Sequence, residues 1–267
     1  MNSPTENQKK ALITGASGGI GLELAKLFAA DGYNLVLVAR SKDKLQEIAR
    51  DFEDCFKISV KIISKDLSVI DSCKEIYDEL IREKIRVDVL VNNAGSGTWG
   101  NFWETDTAQE LKMMNLNILS LVYLTKLFVK DMIKNKQGRI LNVASTAAFQ
   151  PGPLMAVYYA SKAFVLSFSE AIANETRGTG VTVTALCPGP TETNFRAAAG
   201  MQKSMLFSKH LNLPPALVAR AGYEGMKRGN VIVVPGFKNR MIIQLLRVSP
   251  RGFVRDAVRK VQEARRN

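Results

Sequence analysis

Histidine is almost missing from this 267-residue chain, with His210 the single example. That excludes a histidine-based metal centre, and it leaves one polar, loop-like stretch as the sole source of the base that a Ser-His-Asp or Cys-His apparatus needs. Cysteine is nearly as sparse. Cys55, Cys73 and Cys187 lie far apart and form no Cys-x-x-Cys pair, so neither a zinc site nor a disulfide framework is indicated, and a reducing, cytoplasmic setting is expected. Long apolar runs are lacking too. The most apolar helix-length stretch, Met113–Met132, is broken by Asn115, Asn117, Lys126 and Lys130, which excludes an ordinary membrane span. Met1–Lys10 is polar, without the apolar centre of a secretory signal. Acid is outnumbered: 25 Asp and Glu face 37 Lys and Arg, a net charge of +12. An excess of that sign favours anionic partners, of which nucleic acid, an anionic membrane and a phosphorylated cofactor or substrate are the three classes. Nucleic acid is disfavoured, because no binding module and no basic-aromatic stripe is visible.

What the chain has is alternation. Short apolar runs (Ala11–Ile13, Leu35–Val38, Ile58–Ile63, Val89–Val91, Arg139–Val143, Val181–Leu186 and Val231–Val234) alternate with amphipathic segments such as Ile20–Ala30, Leu45–Phe52, Ser72–Ile81, Leu111–Ile133 and Ala163–Glu175. This pattern predicts repeated βαβ units, hence a single-domain, doubly wound α/β Rossmann fold of about seven mostly parallel strands with helices on both faces. Residues 1–9 are expected to be a flexible N-terminus and 10–240 the dinucleotide-binding and catalytic domain, with a substrate loop at about 194–215. Residues 241–267 form a basic helical extension. Functional groups in such sheets gather beyond the carboxyl ends of the strands.

Thr14-Gly15-Ala16-Ser17-Gly18-Gly19-Ile20-Gly21 follows the first apolar run and opens the first helix. Glycine lets the backbone turn sharply and approach a pyrophosphate, and the helix N-terminus offers it free N–H groups. The same residues match the Gly-x-Ser-x-Gly nucleophile elbow, but His210 is the sole available base and the elbow would lie on the first strand, so that reading fails. NAD sites of this type carry an acid at the end of the second strand, where it grips the ribose 2′-hydroxyl. Here Ala39 stands there, followed by Arg40 and then Lys42. A cation attracts a 2′-phosphate, so NADP(H) is favoured over NAD(H).

Tyr158 and Lys162 are spaced i, i+4 at the start of a predicted helix and share a face. A tyrosine titrates near pH 10, and a nearby ammonium is expected to lower that value enough for Tyr158 to act as a general acid/base. Tyr159, at i+3 from Lys162, is the adjacent competitor.

Together these motifs resemble the short-chain dehydrogenase/reductase family, in its single-domain branch, over about Lys9–Gly236. The resemblance rests on Thr14-Gly15-x-x-x-Gly19-x-Gly21, Asn92-Asn93-Ala94-Gly95, Asn115, Ser145, Tyr158-x-x-x-Lys162 and Pro188-Gly189 followed by Thr193. It implies an oxidoreductase that interconverts a carbonyl and an alcohol. Ser145, thirteen residues before Tyr158, is implied to hold the substrate oxygen, Tyr158 to move the proton, Lys162 to lower the Tyr158 pKa and grip the nicotinamide ribose, and Asn115 to support a water in a proton relay. Asp66 and Leu67 are implied to meet the adenine, Asn93, Ala94 and Gly95 to wall the cofactor groove, and Ile20 to meet the pyrophosphate. Gly15, Ser17, Gly18, Gly19, Gly21, Pro188, Gly189, Thr191 and Thr193 complete the implied cofactor site. Gly18 departs from the pattern, since many NADP-preferring relatives carry a basic residue there. The alternative is a non-catalytic dinucleotide-binding sensor or scaffold, which would have no need of Ser145, Tyr158, Lys162 and Asn115 together.

The segments expected beside the nicotinamide are apolar: Trp99, Phe102 and Trp103, then Phe149, Leu154 and Met155, with Met201, Met205, Leu206 and Phe207 in the substrate loop. They suit a hydrophobic ketone, aldehyde, 3-oxoacyl or steroid-like substrate. Arg196, Lys203 and Lys209 lie where they would attract an anionic carrier such as coenzyme A or acyl carrier protein. The predicted helix Thr107–Asn135 is apolar around most of its middle, which calls for a second packing partner and hence a homodimer or homotetramer. Met241–Val248 is apolar, and beyond Pro250 the residues Phe253, Val254, Ala257, Val258 and Val261 fall on one helical face among Arg255, Arg259, Lys260, Arg265 and Arg266. Two readings stay open for this segment: it lies on an anionic membrane, or it covers the substrate cleft.

Arg40→Ala is expected to weaken NADPH binding by about 1.5–3 kcal/mol, the worth of hydrogen bonds to a charged group, and to leave NADH nearly unchanged. Calorimetric titration with both cofactors measures this, and equal losses would assign Arg40 to the fold.

Overall fold

The computed structural model describes residues 8–193, 195 and 212–263. Seven strands form one sheet in the order β3-β2-β1-β4-β5-β6-β7, namely β1 Lys10–Thr14, β2 Asn34–Ala39, β3 Val60–Ser64, β4 Val89–Asn92, β5 Gly138–Val143, β6 Val181–Leu186 and β7 Ile232–Val233. Every neighbouring pair is parallel. The expected doubly wound Rossmann architecture is present. The strands read as unbroken apolar runs because both faces are covered, and the side-chain period of two sorts them. Ala11, Ile13, Leu35 and Leu37 enter one core, with Leu24 and Phe28 of helix α1 (Gly19–Ala30), Phe52 of α2 (Lys42–Phe56) and Tyr223 of α7 (Pro215–Lys227). Leu12, Val36, Val38 and Leu90 enter the other, with Ile76 of α3 (Asp71–Arg82) and Leu124 and Phe128 of α5 (Ser120–Lys134).

β1 has β2 on one side and β4 on the other, so the chain changes direction across the sheet between β1 and β4. That switch point opens a crevice at the carboxyl ends of β1 and β4.

Several boundaries differ from expectation for local reasons. β3 begins at Val60 instead of Ile58, after Lys57 closes α2 in the left-handed conformation (φ 56°). The single helix expected over Thr107–Asn135 is interrupted. α4 (Thr107–Met114) gives way to a π-helical turn, Asn115–Leu119, before α5 resumes. Such turns accommodate a residue whose side chain is committed elsewhere, and Asn117 is that residue. The C-terminal extension starts earlier than residue 241. α8 (Phe237–Val248) begins where Gly236 (φ 84°) turns the chain, and α9 (Arg251–Glu263) follows. No helix among the described residues is long and apolar enough to cross a membrane.

Candidate active site

The glycine turn is held from beneath. Thr14, the last residue of β1, accepts hydrogen bonds at Oγ1 from the backbone N–H groups of Asn93 (2.9 Å) and Ala94 (3.0 Å), and donates to Val91 O (3.2 Å). Asn93 Nδ2 returns hydrogen bonds to Thr14 O (2.9 Å) and Gly15 O (3.2 Å). Gly15 is in the left-handed region (φ 65°), and a Cβ at Gly21 would run into Gly15 O and Asn93 Nδ2. Thus Gly15 and Gly21 are needed for the turn's own packing. Gly18 is different: a Cβ there meets nothing within 4 Å. Its neighbour Gly19 (φ 56°) faces Thr193, whose Cγ2 lies 3.0 Å from where a Cβ would stand.

From this turn a cleft of about 420 Å³ runs across the strand ends. One end is lined by Ser17, Gly18, Gly19, Ile20, Arg40 and Lys44, the middle by Gly15, Asn93, Ala94 and Gly95, and the other end by Ser145, Tyr158, Lys162, Pro188, Gly189, Thr191 and Thr193. The structure therefore brings together most of the residues singled out from the sequence. Lys44 was not among them, although it lies four residues after Arg40 and one turn into α2. Gly21 is beneath the turn, as its packing requires. Asp66 and Leu67 do not line the cleft: Leu67 is buried, and the Asp66 carboxylate accepts from Ser68 N and Oγ and pairs with Lys112 at 3.2 Å.

Asn115 is a correction. Its Nδ2 donates to Ser68 O (3.3 Å), away from the tyrosine–lysine pair. Asn117 is the asparagine that converges with Lys162 on Gly95. Buried in the π-helical turn, Asn117 accepts from Ser96 N (2.9 Å) and donates to Ser96 O (2.9 Å) and Ser161 Oγ (3.1 Å). A Cβ at Gly95 would lie 3.3 Å from Asn117 Oδ1 and 3.4 Å from Lys162 Nζ, so both side chains converge on the same backbone. Two asparagines two residues apart look alike to a motif, and their hydrogen-bond partners separate them: Ser68 for Asn115, Ser96 and Ser161 for Asn117.

Tyr158 and Lys162 lie on the first turns of α6 (Ala156–Glu175). Lys162 is buried, donates to Val143 O (2.9 Å), and holds its ammonium 5.9 Å from the centre of the Tyr158 ring. Burial pulls the Lys162 pKa down to about 8. Tyr158 contradicts the expected lowering: burial raises its pKa, and a hydrogen bond with Ser145 opposes that rise only in part. Ser145 Oγ also accepts from Ala147 N (3.1 Å), which fixes the hydroxyl at the end of β5.

Beyond Tyr158 lies an apolar cluster of Ala147, Met155, Tyr159, Val254 and Val258, with Trp99, Phe195 and Leu246 at its edge. Phe195 packs on Tyr158 with ring centres 5.2 Å apart. Helix α9 thus packs on the apolar cluster beside Tyr158, and Gln262 Nε2 on the same face donates to Tyr159 Oη (3.2 Å). Of the apolar residues named for this wall, Trp99 and Met155 belong to it. Phe149 packs in a different cluster with Leu121 and Val165, while Phe102 and Trp103 are exposed. Arg196, Met201, Lys203, Met205, Leu206, Phe207, Lys209, His210, Arg265 and Arg266 lie outside the described residues.

A glycine turn on a helix N-terminus at the switch point, with a buried tyrosine–lysine pair across the same cleft, defines a Rossmann-type dinucleotide site joined to an acid/base site. The family model described as short chain dehydrogenase matches residues 9–204, and the chain belongs to the short-chain dehydrogenase/reductase family. It is 37% identical over 180 residues to 17-beta-hydroxysteroid dehydrogenase type 3 of Mus musculus, covering 67% of this chain and 58% of that protein. It is 34% identical over 185 residues to very-long-chain 3-oxoacyl-CoA reductase of Homo sapiens, again covering 67% of this chain and 58% of that protein. The chain therefore spans less than two thirds of the length of these relatives. Among solved structures, a short-chain dehydrogenase from Sphingobium yanoikuyae in complex with NADPH superposes with a TM-score of 0.82 at 29% identity, covering 92% of this chain and 94% of that one.

Asn117→Ala is expected to lower both the melting temperature and activity, because it strips the Ser96 backbone and Ser161 of buried partners at a cost of about 1–3 kcal/mol. Asn115→Ala should leave activity within a few-fold of the parent. Thermal unfolding and steady-state rates of both variants check the assignment, and the reverse pattern would restore Asn115.

Proposed function

We propose that the chain is an NADP(H)-dependent oxidoreductase that interconverts a carbonyl and an alcohol on an apolar substrate. The observation that carries this reading is the Tyr158–Lys162 pair, with Ser145 beside it, in the same cleft as the glycine turn. The cleft fits a dinucleotide: the space over Gly18 is open, the N-terminus of α1 favours a diphosphate, and Arg40 and Lys44 stand where a 2′-phosphate would need cations. When bound, the nicotinamide supplies or accepts the hydride.

The chain's own residues do the rest. Ser145 donates a hydrogen bond to the substrate oxygen, and Tyr158 passes its phenolic proton to that oxygen as charge develops there. The Lys162 ammonium steadies the tyrosinate left behind, and Val143 O and the Asn117–Ser96 contacts keep the lysine and the groove wall in register. Tyr158 is a neutral phenol in the resting site, and burial raises its pKa further. An apolar substrate is supported by Met155, Tyr159 and Phe195 in the lining of the cleft, backed by Val254 and Val258. The names of the two relatives, a hydroxysteroid dehydrogenase and a 3-oxoacyl-CoA reductase, agree with a bulky apolar carbonyl compound. A homodimer or homotetramer through α5 and α6 belongs to the same proposal, supported by the exposed Phe164 stacked on Phe168 along α6.

Tyr158→Phe should fold, bind NADPH and lose about 10²- to 10⁴-fold in turnover of an apolar ketone, followed by the fall in NADPH absorbance. Activity within a few-fold of the parent would discard Tyr158 as the proton donor. The pH profile tests its partner. Below the Lys162 pKa of about 8 the ammonium is present and reduction should be flat, and as pH rises through that value the charge is lost and kcat should fall. A reduction rate that climbs steadily above pH 8 would contradict the assigned role of Lys162.

A further inference from the structure

Helices α8 and α9 have a second, outward side that neither the fold nor the cleft uses. On α8, Phe237, Met241, Ile242, Leu245 and Val248 recur at helical spacing along one stripe, and all five are exposed, Phe237 at 74% and Val248 at 80%. The opposite side of the same helix is the packed one, where Ile243 is buried and Leu246 joins the apolar cluster beside Tyr158. α9 repeats the arrangement. Val254, Val258 and Gln262 face inward, while Phe253 and Val261 stay exposed beside them. The loop that delivers Trp99 to the same cluster leaves Trp103 77% exposed. A soluble monomer rarely shows contiguous apolar surface on this scale without a partner.

Charge identifies the partner. Over α8 and α9 the carboxylates are Asp256 and Glu263, and they pair with Arg255 (3.0 Å) and Arg259 (2.7 Å). Lys238, Arg240, Arg247, Arg251 and Lys260 have no ion-pair partner among the described residues. Two copies meeting through this surface about a two-fold axis would set these cations against one another, so self-association through it is opposed. A planar surface that accepts apolar side chains and carries negative charge answers both features.

We propose that α8 and α9 form a docking surface for an anionic lipid bilayer. Phe237, Met241, Leu245 and Val248 enter the acyl boundary, and the unpaired lysines and arginines meet the headgroups. Since the inner sides of the same helices pack on the apolar cluster beside Tyr158, docking brings that end of the molecule to the bilayer and shortens the path of an apolar substrate through water. The lipid contact itself does not depend on the reaction assigned to the cleft.

The test is flotation of the full chain with vesicles of phosphatidylcholine alone and of phosphatidylcholine mixed with phosphatidylglycerol. The parent should float with the mixed vesicles and far less with the neutral ones. The double variant Leu245→Glu, Val248→Glu should lose vesicle binding by about tenfold or more, because two side chains that would enter the acyl boundary become charged. Both positions face solvent, so its melting temperature and its turnover of a small water-soluble ketone should match the parent. Absence of flotation with mixed vesicles, or flotation that the double variant leaves intact, would overturn the proposal. A parent dimer in sedimentation that the same variant dissociates would also overturn it, by assigning the stripe to a second copy of the chain.

Discussion

Where β1 and β4 part company at the middle of the sheet, two side chains fasten their ends together, and the rest of the cleft hangs from that joint. Thr14 uses its hydroxyl to hold the backbone of Asn93 and Ala94, and Asn93 reaches back to the carbonyls of Thr14 and Gly15. Four hydrogen bonds across the switch point set how far the crevice can open. They also explain why glycine is needed in two senses in one turn. At Gly15 and Gly21 the lack of a side chain lets the latch close, whereas at Gly18 it leaves room for something else. Loss of the Asn93 amide would strand the Thr14 and Gly15 carbonyls beside β1 and loosen the turn on which α1 begins.

Electrostatics at the other end of the cleft follow from burial more than from pairing. The familiar argument lets an ammonium lower a tyrosine pKa, but an ammonium can do so only when it is nearer to the phenol oxygen than to competing acceptors. Here Lys162 has an acceptor of its own in Val143 O, and its ammonium stands 5.9 Å from the centre of the Tyr158 ring. Burial then dominates both groups and drives their pKa values apart, Tyr158 upward and Lys162 downward to about 8. The result is a neutral acid beside a cation that is still charged at neutral pH.

Parallel strands buried on both faces read as apolar runs whatever surrounds them, so the seven strands and their parallel sense were legible before any coordinates. Turn glycines at a strand end, and a tyrosine and lysine four apart, were legible for a similar reason: the chemistry demands particular residues at fixed local spacing. What the sequence hid was non-local or degenerate. Asn115 and Asn117 have the same chemistry, and what separates them is that Ser96, far away in sequence, offers its backbone to Asn117. Asp66 has a partner in Lys112, and no local pattern announces that pairing. Arg40 stood out because an acid was missing, but Lys44 needed the start of α2 to place it one turn further along the same wall.

The C-terminal helices show why an apolar count along a segment cannot by itself choose between covering a site and meeting a partner. Each helix has two apolar sides. Val254, Val258 and Gln262 repeat every fourth residue and lie against Met155 and Tyr159, while the five-residue stripe on α8 points away from the sheet. A helix with one apolar stripe satisfies itself by packing once. A pair of helices with a second stripe, bordered by cations that lack carboxylate partners, has unspent contact area whose charge rejects its own copy. The inward side packs on the cluster beside Tyr158 and the outward side remains available, and because the same short helices carry both, whatever binds outside sits within about one helix diameter of that cluster.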